Sequence, residues 1–308
     1  MDDPFIQIVS FFSIFWAFHL SCYGHLRRCH RQPIQRGERF NPWNNNSLYN
    51  EASSNGSQED IRSLTIEEKV GVTLYRLGHG SSYETVGHLF NIGKATAYRV
   101  LQEVVHKIVL HLHDLTISLP DVNNDAEWNV IRDSFKRRQG LTNIIGAIDG
   151  THIPIIPPPN DEWNSYVNRK GWHSIVFQCI VDGEGNFRNV FGGLPGSVHD
   201  SRLFRKSKIG RDLLNGIARF PQDCLLIGDS GYSCKVPILT PSKNARSEEH
   251  QRFNNIHSST RMVVEQAFGR LKNRFRCLLS PQAILPMNTG KVMIACMILH
   301  NILNGRNA

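Results

Sequence analysis

An α/β fold preceded by a small helical unit is what this chain of 308 residues predicts, and three observations carry that reading. From residue 143 onward, apolar runs of strand length alternate with segments of helical spacing. The turn Asp182-Gly183-Glu184-Gly185-Asn186 separates two of those runs. Upstream, three short helical patterns are joined by Gly-containing turns.

The elements follow in order. Phe5 to Leu20 is almost wholly apolar and is followed by basic residues from His25 to Arg31. It is short for a full membrane span, and its acidic start, Met1-Asp2-Asp3, is opposite to a secretory signal. A helix packed on the protein is the preferred reading, with a membrane anchor as the alternative. Residues 32 to 60, rich in Asn, Ser, Gln and Gly, read as a flexible linker. Ile66 to Leu77 has helical spacing, and Gly78-His79-Gly80 stops it. Ser82 to Phe90 reads as a second helix, Asn91-Ile92-Gly93 as a tight turn, and Lys94 to Val109 as a third helix. Two helices about so short a turn have helix-turn-helix spacing. The third would turn Ala97, Val100, Leu101 and Val104 inward and present Lys94, Thr96, Tyr98 and Arg99 toward a DNA groove. A trihelical packing module is the alternative.

Ile144 to Ile148 is an apolar run ending at Asp149, with a second from Ile153 to Ile156. Ser174 to Val181 reads as a buried strand and Phe187 to Leu194 as the next. Asp200 to Ile217 has helical spacing. Cys224 to Ile227 is a short apolar strand ahead of Asp229. Thr260 to Arg276 is an amphipathic helix with Val264, Phe268, Leu271 and Phe275 on one stripe and Glu265 beside it. The chain thus divides into an apolar segment and linker (1–60), a helix-turn-helix-like domain (61–113), a connecting segment (114–142) and an α/β domain (143–304).

Four acids stand where apolar elements carry them inward: Asp149, Asp200, Asp229 and Glu265. A carboxylate beside Ile, Leu and Phe is costly to desolvate unless it is paired or bound to metal. Each also has a plain structural reading. Asp149-Gly150 would serve as a tight hairpin turn, and Asp200 as the cap of a helix starting at Ser201. Asp229 suits a turn, and Glu265 lies four residues after Arg261, the spacing of a helical ion pair.

Six motifs in fixed order turn these readings toward chemistry: AIDGTHIPI, YVNRKGWHS, PGSVHDSRLF, GDSGY, FNNIHSSTRMVVEQAFGRLKNRFRCL and CMILHN. In them the chain resembles the DDE nuclease domain of the PIF/Harbinger transposase superfamily, from Asn143 to Leu303. The resemblance implies an RNase H-like mixed sheet flanked by helices, and a divalent-metal-dependent DNA endonuclease or transposase. Asp149 matches the first family acid, Asp229 the second and Glu265 the closing one, as the catalytic set. Asp200 matches a further acid implied in metal binding. The implied cofactor is Mg²⁺ or Mn²⁺, hard cations that favour oxygen ligands; two ions about 4 Å apart can activate an attacking hydroxyl and stabilise the leaving oxygen. The resemblance also implies a nuclear or cytoplasmic setting, DNA as partner, and target recognition shared with a Myb/SANT-like protein; it leaves oligomerisation open. The alternative function is a domesticated, catalytically silent DNA-binding or adaptor protein on the same fold.

Composition agrees. A formal charge of +8 favours a polyanionic partner. Basic residues cluster at 136–138, at Arg169-Lys170, from Arg202 to Arg211 and from Arg270 to Arg276, where they could meet phosphates or form solvated faces. Arg169, Lys170 and Arg270 are the candidates in the α/β domain. Trp172 and His173 could stack on a displaced base, with core packing of Trp172 as the alternative. His300 reads as a core histidine. Scattered cysteines without a disulfide framework favour a reducing compartment. Zinc-finger, HExxH, GxSxG and P-loop patterns are missing, so those hydrolase and NTPase classes have no support.

Overall fold

The structure, a computed structural model, describes residues 64–158, 163–232, 237–243 and 246–305. The apolar N-terminal segment and the linker lie outside the described residues. The described residues divide into two compact units, one holding those up to Arg76 with Ser82–Leu101, the other Leu77–Ser81 and those from Gln102 onward.

In the first unit lie helix α1 (Ile66–His79) up to Arg76, α2 (Tyr83–Phe90) and the start of α3 (Lys94–Thr116). Ser82 caps α2, its hydroxyl accepting from the Thr85 N–H, and Asn91 ends it in the left-handed conformation (φ 52°). Val70, Val86, Ala97, Val100 and Leu101 are buried. Tyr75 meets Phe90 edge-on, and Tyr83 meets Tyr98.

The second unit carries a five-stranded mixed sheet flanked by helices. Its strands are β1 (Ile144–Pro154), β2 (Ser174–Val181), β3 (Phe187–Pro195), β4 (Leu225–Ile227) and β5 (Ile238–Leu239), ordered β3-β2-β1-β4-β5. The first three pair antiparallel, while β4 and β5 run parallel to β1. Every residue of β2 is buried, as its unbroken apolar run requires of a strand covered on both faces. Helices α4 (Asp125–Gln139), α7 (Glu248–Arg274) and α8 (Pro286–Asn304) pack on β1 and β3, and α5 (Asp200–Lys206) packs on β2, β3 and α6 (Lys208–Leu214).

Four details differ from the sequence reading. The two apolar runs at 144–156 form one strand of 11 residues, so Asp149-Gly150 is not a hairpin turn; Asp149 pairs with Cys179 and Gly150 with Gln178. The segment after Asp200 is two helices, because Ser207 ends α5 and caps α6, accepting from the Gly210 N–H. Helix α7 begins at Glu248, capped by Ser247, well before Thr260. The connecting segment contains α4, which buries Trp128, Ile131 and Phe135 and is otherwise mostly polar, with Val130 exposed.

The CMILHN motif is a structural hub. Asn301 Oδ1 accepts from the Phe187 N–H at 2.8 Å, and its Nδ2 donates to the carbonyls of Phe187 and Thr116, each at 2.8 Å. His300 is fully buried, with Arg274 donating to its Nδ1 and its Nε2 facing the Gly185 carbonyl. Burial, with the nearby guanidinium of Arg274, pushes its pKa down to about 3, so it is neutral and structural.

Asn301→Ala would strand two backbone groups of Phe187 and one of Thr116. We expect a loss of roughly 2–3 kcal/mol in urea unfolding. A loss below about 0.5 kcal/mol would mean that the hub is dispensable.

Candidate active site

The central strand β1 brings Asp149 to the middle of the sheet, where its side chain is only 18 % exposed. Asp149 Oδ1 accepts from the Gly150 N–H at 2.8 Å and Oδ2 accepts from Arg261 Nη1 at 2.7 Å. The carboxyl is pushed up to about 6, chiefly by burial, with the charges of Asp229 and Asp200 adding to the rise and the Gly150 N–H and Arg261 opposing it. Asp200 is also raised, first by burial and then by Asp229, against the pull of Arg169 and His199. The three aspartates therefore share one electrostatic field, although they come from the middle of β1, the start of α5 and the loop after β4.

Each arrives for a local reason. Asp200 is the first residue of α5, with His199 in the cap position and no side-chain cap bond, so capping does not explain it. Its carboxylate lies against Gly150, where an added Cβ would fall 2.3 Å from Asp200 Oδ1. Only glycine at 150 leaves room for the second carboxylate beside the first. Asp229 is a turn residue as well as a member of the cluster, its Oδ1 accepting from the Gly231 N–H at 2.9 Å.

Glu265 is joined to the site through Arg261. That guanidinium donates through Nη1 to Asp149 and through Nη2 to Glu265 Oε1. The i, i+4 pair is therefore real, yet it is half of a bridge that ties the late helix to the central strand. With this bridge in place, no group of three His, Cys, Asp or Glu side chains among the described residues is arranged to hold a metal ion. The donor chemistry nevertheless fits a hard divalent cation. Asp149, Asp200 and Asp229 act on one another's charge, Glu265 is tied to Asp149 through Arg261, and the Asp149 pKa, raised chiefly by burial and further by the neighbouring acids, marks a site that gains from added positive charge.

Near the acids stand three further groups that the sequence reading did not single out as site residues. Tyr232, three residues after Asp229, is buried against Phe204, and its hydroxyl has no partner among the described residues. Burial and the charges of all three aspartates raise its pKa well above the usual tyrosine range. Lys272 and His152 flank the same region, Lys272 Nζ donating to the His152 carbonyl at 3.0 Å.

The predicted basic residues separate. Arg169 and Lys170 line a cleft together with Asp200. Arg270 donates to the Glu184 carbonyl at the β2–β3 turn, and Arg274 is occupied by His300 and Asn304. Arg137 pairs with Glu184 and Arg138 donates to the Gly183 carbonyl. In the first unit Lys94 is exposed, Tyr98 and Arg99 are half-buried, and Thr96 is 3 % exposed, facing the interior rather than solvent. No helix among the described residues is long and apolar enough to cross a membrane.

Comparison with known proteins gives a consistent result. A family described as DDE superfamily endonuclease matches residues 148–301, which hold Asp149, Asp200, Asp229 and Glu265. The chain is 30% identical over 254 residues to the Rattus norvegicus protein named "Putative nuclease HARBI1", covering 82% of this chain and 71% of that one. The human protein of the same name is 30% identical over 244 residues, 78% and 68% of the two chains. The Arabidopsis thaliana "Protein ALP1-like" is 27% identical over 270 residues, 81% and 63%. No solved structure matches the chain.

Two expectations follow from this geometry. Between the ordinary carboxyl value of 3.8 and about 6, folded Asp149 keeps a proton that the unfolded chain has lost, so this group lowers stability as pH rises through that window. The full penalty, roughly 3 kcal/mol at most, is present above the folded value. Asp149→Asn should gain on wild type by roughly 2 kcal/mol between about pH 4.5 and about pH 7.5 in urea midpoints. A difference that does not change with pH would show that Asp149 is not desolvated. Separately, Gly150→Ala should keep the fold, with a melting temperature within about 5 °C of wild type. It should displace the Asp200 carboxylate and so lower any metal-induced rise in melting temperature. An undiminished metal response would remove Asp200 from the site.

Proposed function

We propose, from the premise that this chain belongs to the DDE superfamily endonucleases and among them to the Harbinger transposase-derived nucleases, that it is a divalent-metal-dependent DNA nuclease acting at Asp149, Asp229 and Glu265. The observation that carries this reading is the convergence of three aspartates on the central strand of the sheet, with Glu265 tied in through Arg261. The strand order β3-β2-β1-β4-β5, antiparallel on one side of β1 and parallel on the other, is the pattern an RNase H-like sheet would have.

In this reading Asp149, Asp200, Asp229 and Glu265 would hold the ion, which when bound supplies positive charge to the scissile phosphate and lowers the pKa of an attacking hydroxyl. The chain's own groups do the rest. Arg261 holds Asp149 and Glu265 on one guanidinium, tying α7 to β1. Burial of Asp149 excludes water from one side of the site, and Gly150 sets the spacing to Asp200. Tyr232 adds a hydroxyl donor at the edge of the aspartates. The start of α3, with Lys94 and Arg99, is proposed as a backbone-contacting element of a helix-turn-helix-like unit, and Arg169 and Lys170 as phosphate contacts beside the acids. A Myb/SANT-like partner for target recognition and action in the nucleus belong to the same proposal.

A second reading has one observation in its favour. The Arg261 bridge already occupies an oxygen of Asp149 and one of Glu265, as a silent DNA-binding or adaptor protein on this fold would tolerate.

Plasmid nicking separates the two. Purified full chain with Mn²⁺ or Mg²⁺ should convert supercoiled plasmid to nicked circles. EDTA should stop it, and Asp149→Asn should lower the rate by at least about 100-fold. Nicking that survives Asp149→Asn would place the activity elsewhere. No nicking in either metal, with plasmid binding intact, would favour the silent reading.

A further inference from the structure

Beside Asp200 lies a cleft of about 370 Å³, and the catalytic reading uses neither Trp172 on its far wall nor Lys272. The wall is a loop built for rigidity. Asn168 is buried; its Oδ1 accepts from the Lys170 N–H at 2.9 Å, and its Nδ2 donates to Ser174 Oγ at 3.1 Å. The Asn168 N–H donates to the Trp172 carbonyl and the Gly171 N–H to the Asn168 carbonyl, each at 3.0 Å, and Gly171 turns the chain at φ +79°. This closed loop presents Arg169, Lys170 and Trp172 to the cleft.

The charge there is one-sided. Arg169, Lys170 and Lys272 face the cleft, against one carboxylate, Asp200, at its edge. Lys272 is half-buried; its ammonium donates to the His152 carbonyl and makes no ion pair among the described residues. A half-buried cation without an anion is costly, so it points to an anion supplied from outside. Burial and the charges of Lys272, Lys170 and Arg169 hold the His152 pKa down, so the imidazole does not compete for that anion. Arg169 is steadied by its contact with His199 Nδ1.

The aromatic component is Trp172, which is 36 % exposed and meets His152 edge-on at 5.9 Å between ring centres. A volume of this size is near the lower limit of small-ligand sites, roughly 300 Å³. That is room for one nucleotide and too little for a base pair. A base inside a duplex has both faces covered by its neighbours, whereas an unpaired base has a face free to stack.

From these observations we infer that the cleft holds one unpaired nucleotide of a DNA strand, immediately beside the phosphodiester that would be cleaved at Asp149 and Asp200. Its phosphate meets Lys272 and Arg169, and its base stacks on Trp172. The inference rests on the nuclease reading only for the identity of the neighbouring bond; the binding itself needs no metal and no cleavage.

The test uses the full chain in EDTA and two labelled duplexes, one with a single unpaired 2-aminopurine and one fully paired. The unpaired duplex should bind about tenfold more tightly by anisotropy, with its 2-aminopurine emission quenched. Trp172→Ala should remove the preference and the quenching while leaving paired-duplex affinity within about twofold, and Trp172→Phe should restore both. Lys272→Gln should reduce the salt slope for the unpaired duplex by about one. Equal affinity of wild type for the two duplexes would overturn the proposal, as would a preference that survives Trp172→Ala. If the preference is found but plasmid nicking is not, the nuclease reading fails and the pocket stands. If nicking is found without the preference, only the pocket fails.

Discussion

The constraint on which the site depends is a buried carboxylate on the central strand with one fixed cation to answer it. Asp149 is desolvated, faces two further aspartates and shares Arg261 with Glu265. An arginine cannot relieve the strain by losing its proton. The balance is therefore held by geometry, in which α7 must keep Arg261 against β1. The packing of α7 on the sheet, the capping of its start by Ser247 and the apolar stripe Val264, Phe268 and Leu271 all serve that placement.

Much of this was legible in the sequence because strand-length apolar runs and ordered acidic motifs are local signals. β2 and β3 follow the predicted spans closely, and the α7 stripe is buried as read. What escaped was non-local or polar. The Arg261–Asp149 contact joins residues 112 positions apart, and no pattern around Glu265 announces it. Helix α4 has three core residues among fifteen, too thin a stripe to stand out. The first turns of α7, Glu248 to Ser259, are mostly polar and are fixed by the Ser247 cap, by Asn254 bonding the Ser242 backbone and by His257 facing the Leu239 carbonyl, none of which an apolar stripe announces. Asp-Gly reads as a turn by propensity, but at 149–150 the pairing to β2 overrides it.

Basic residues show the same limit more sharply. Four cations between Arg270 and Arg276 look like one patch on paper. The helical period sends Arg270 to a β-turn, Lys272 to the cleft and Arg274 to a buried histidine. Charge counting predicts that a polyanion is attractive to the chain; it does not say which side chains remain free to meet it.

The Asn301 hub also constrains how the domain is made. Asn301 bonds to the backbone at Thr116 and at Phe187, across separations of 185 and 114 residues. β1 likewise waits for β4 to supply its parallel neighbour. During synthesis the sheet is therefore held open on one flank, and its hairpin unclamped, until α8 has emerged. Contacts of such long range slow folding and lengthen exposure of an apolar strand such as β2. The order of the chain thus makes α8 the clasp of the domain, closing it only after the strand that carries Asp149 and the loop that carries Asp229 have been made.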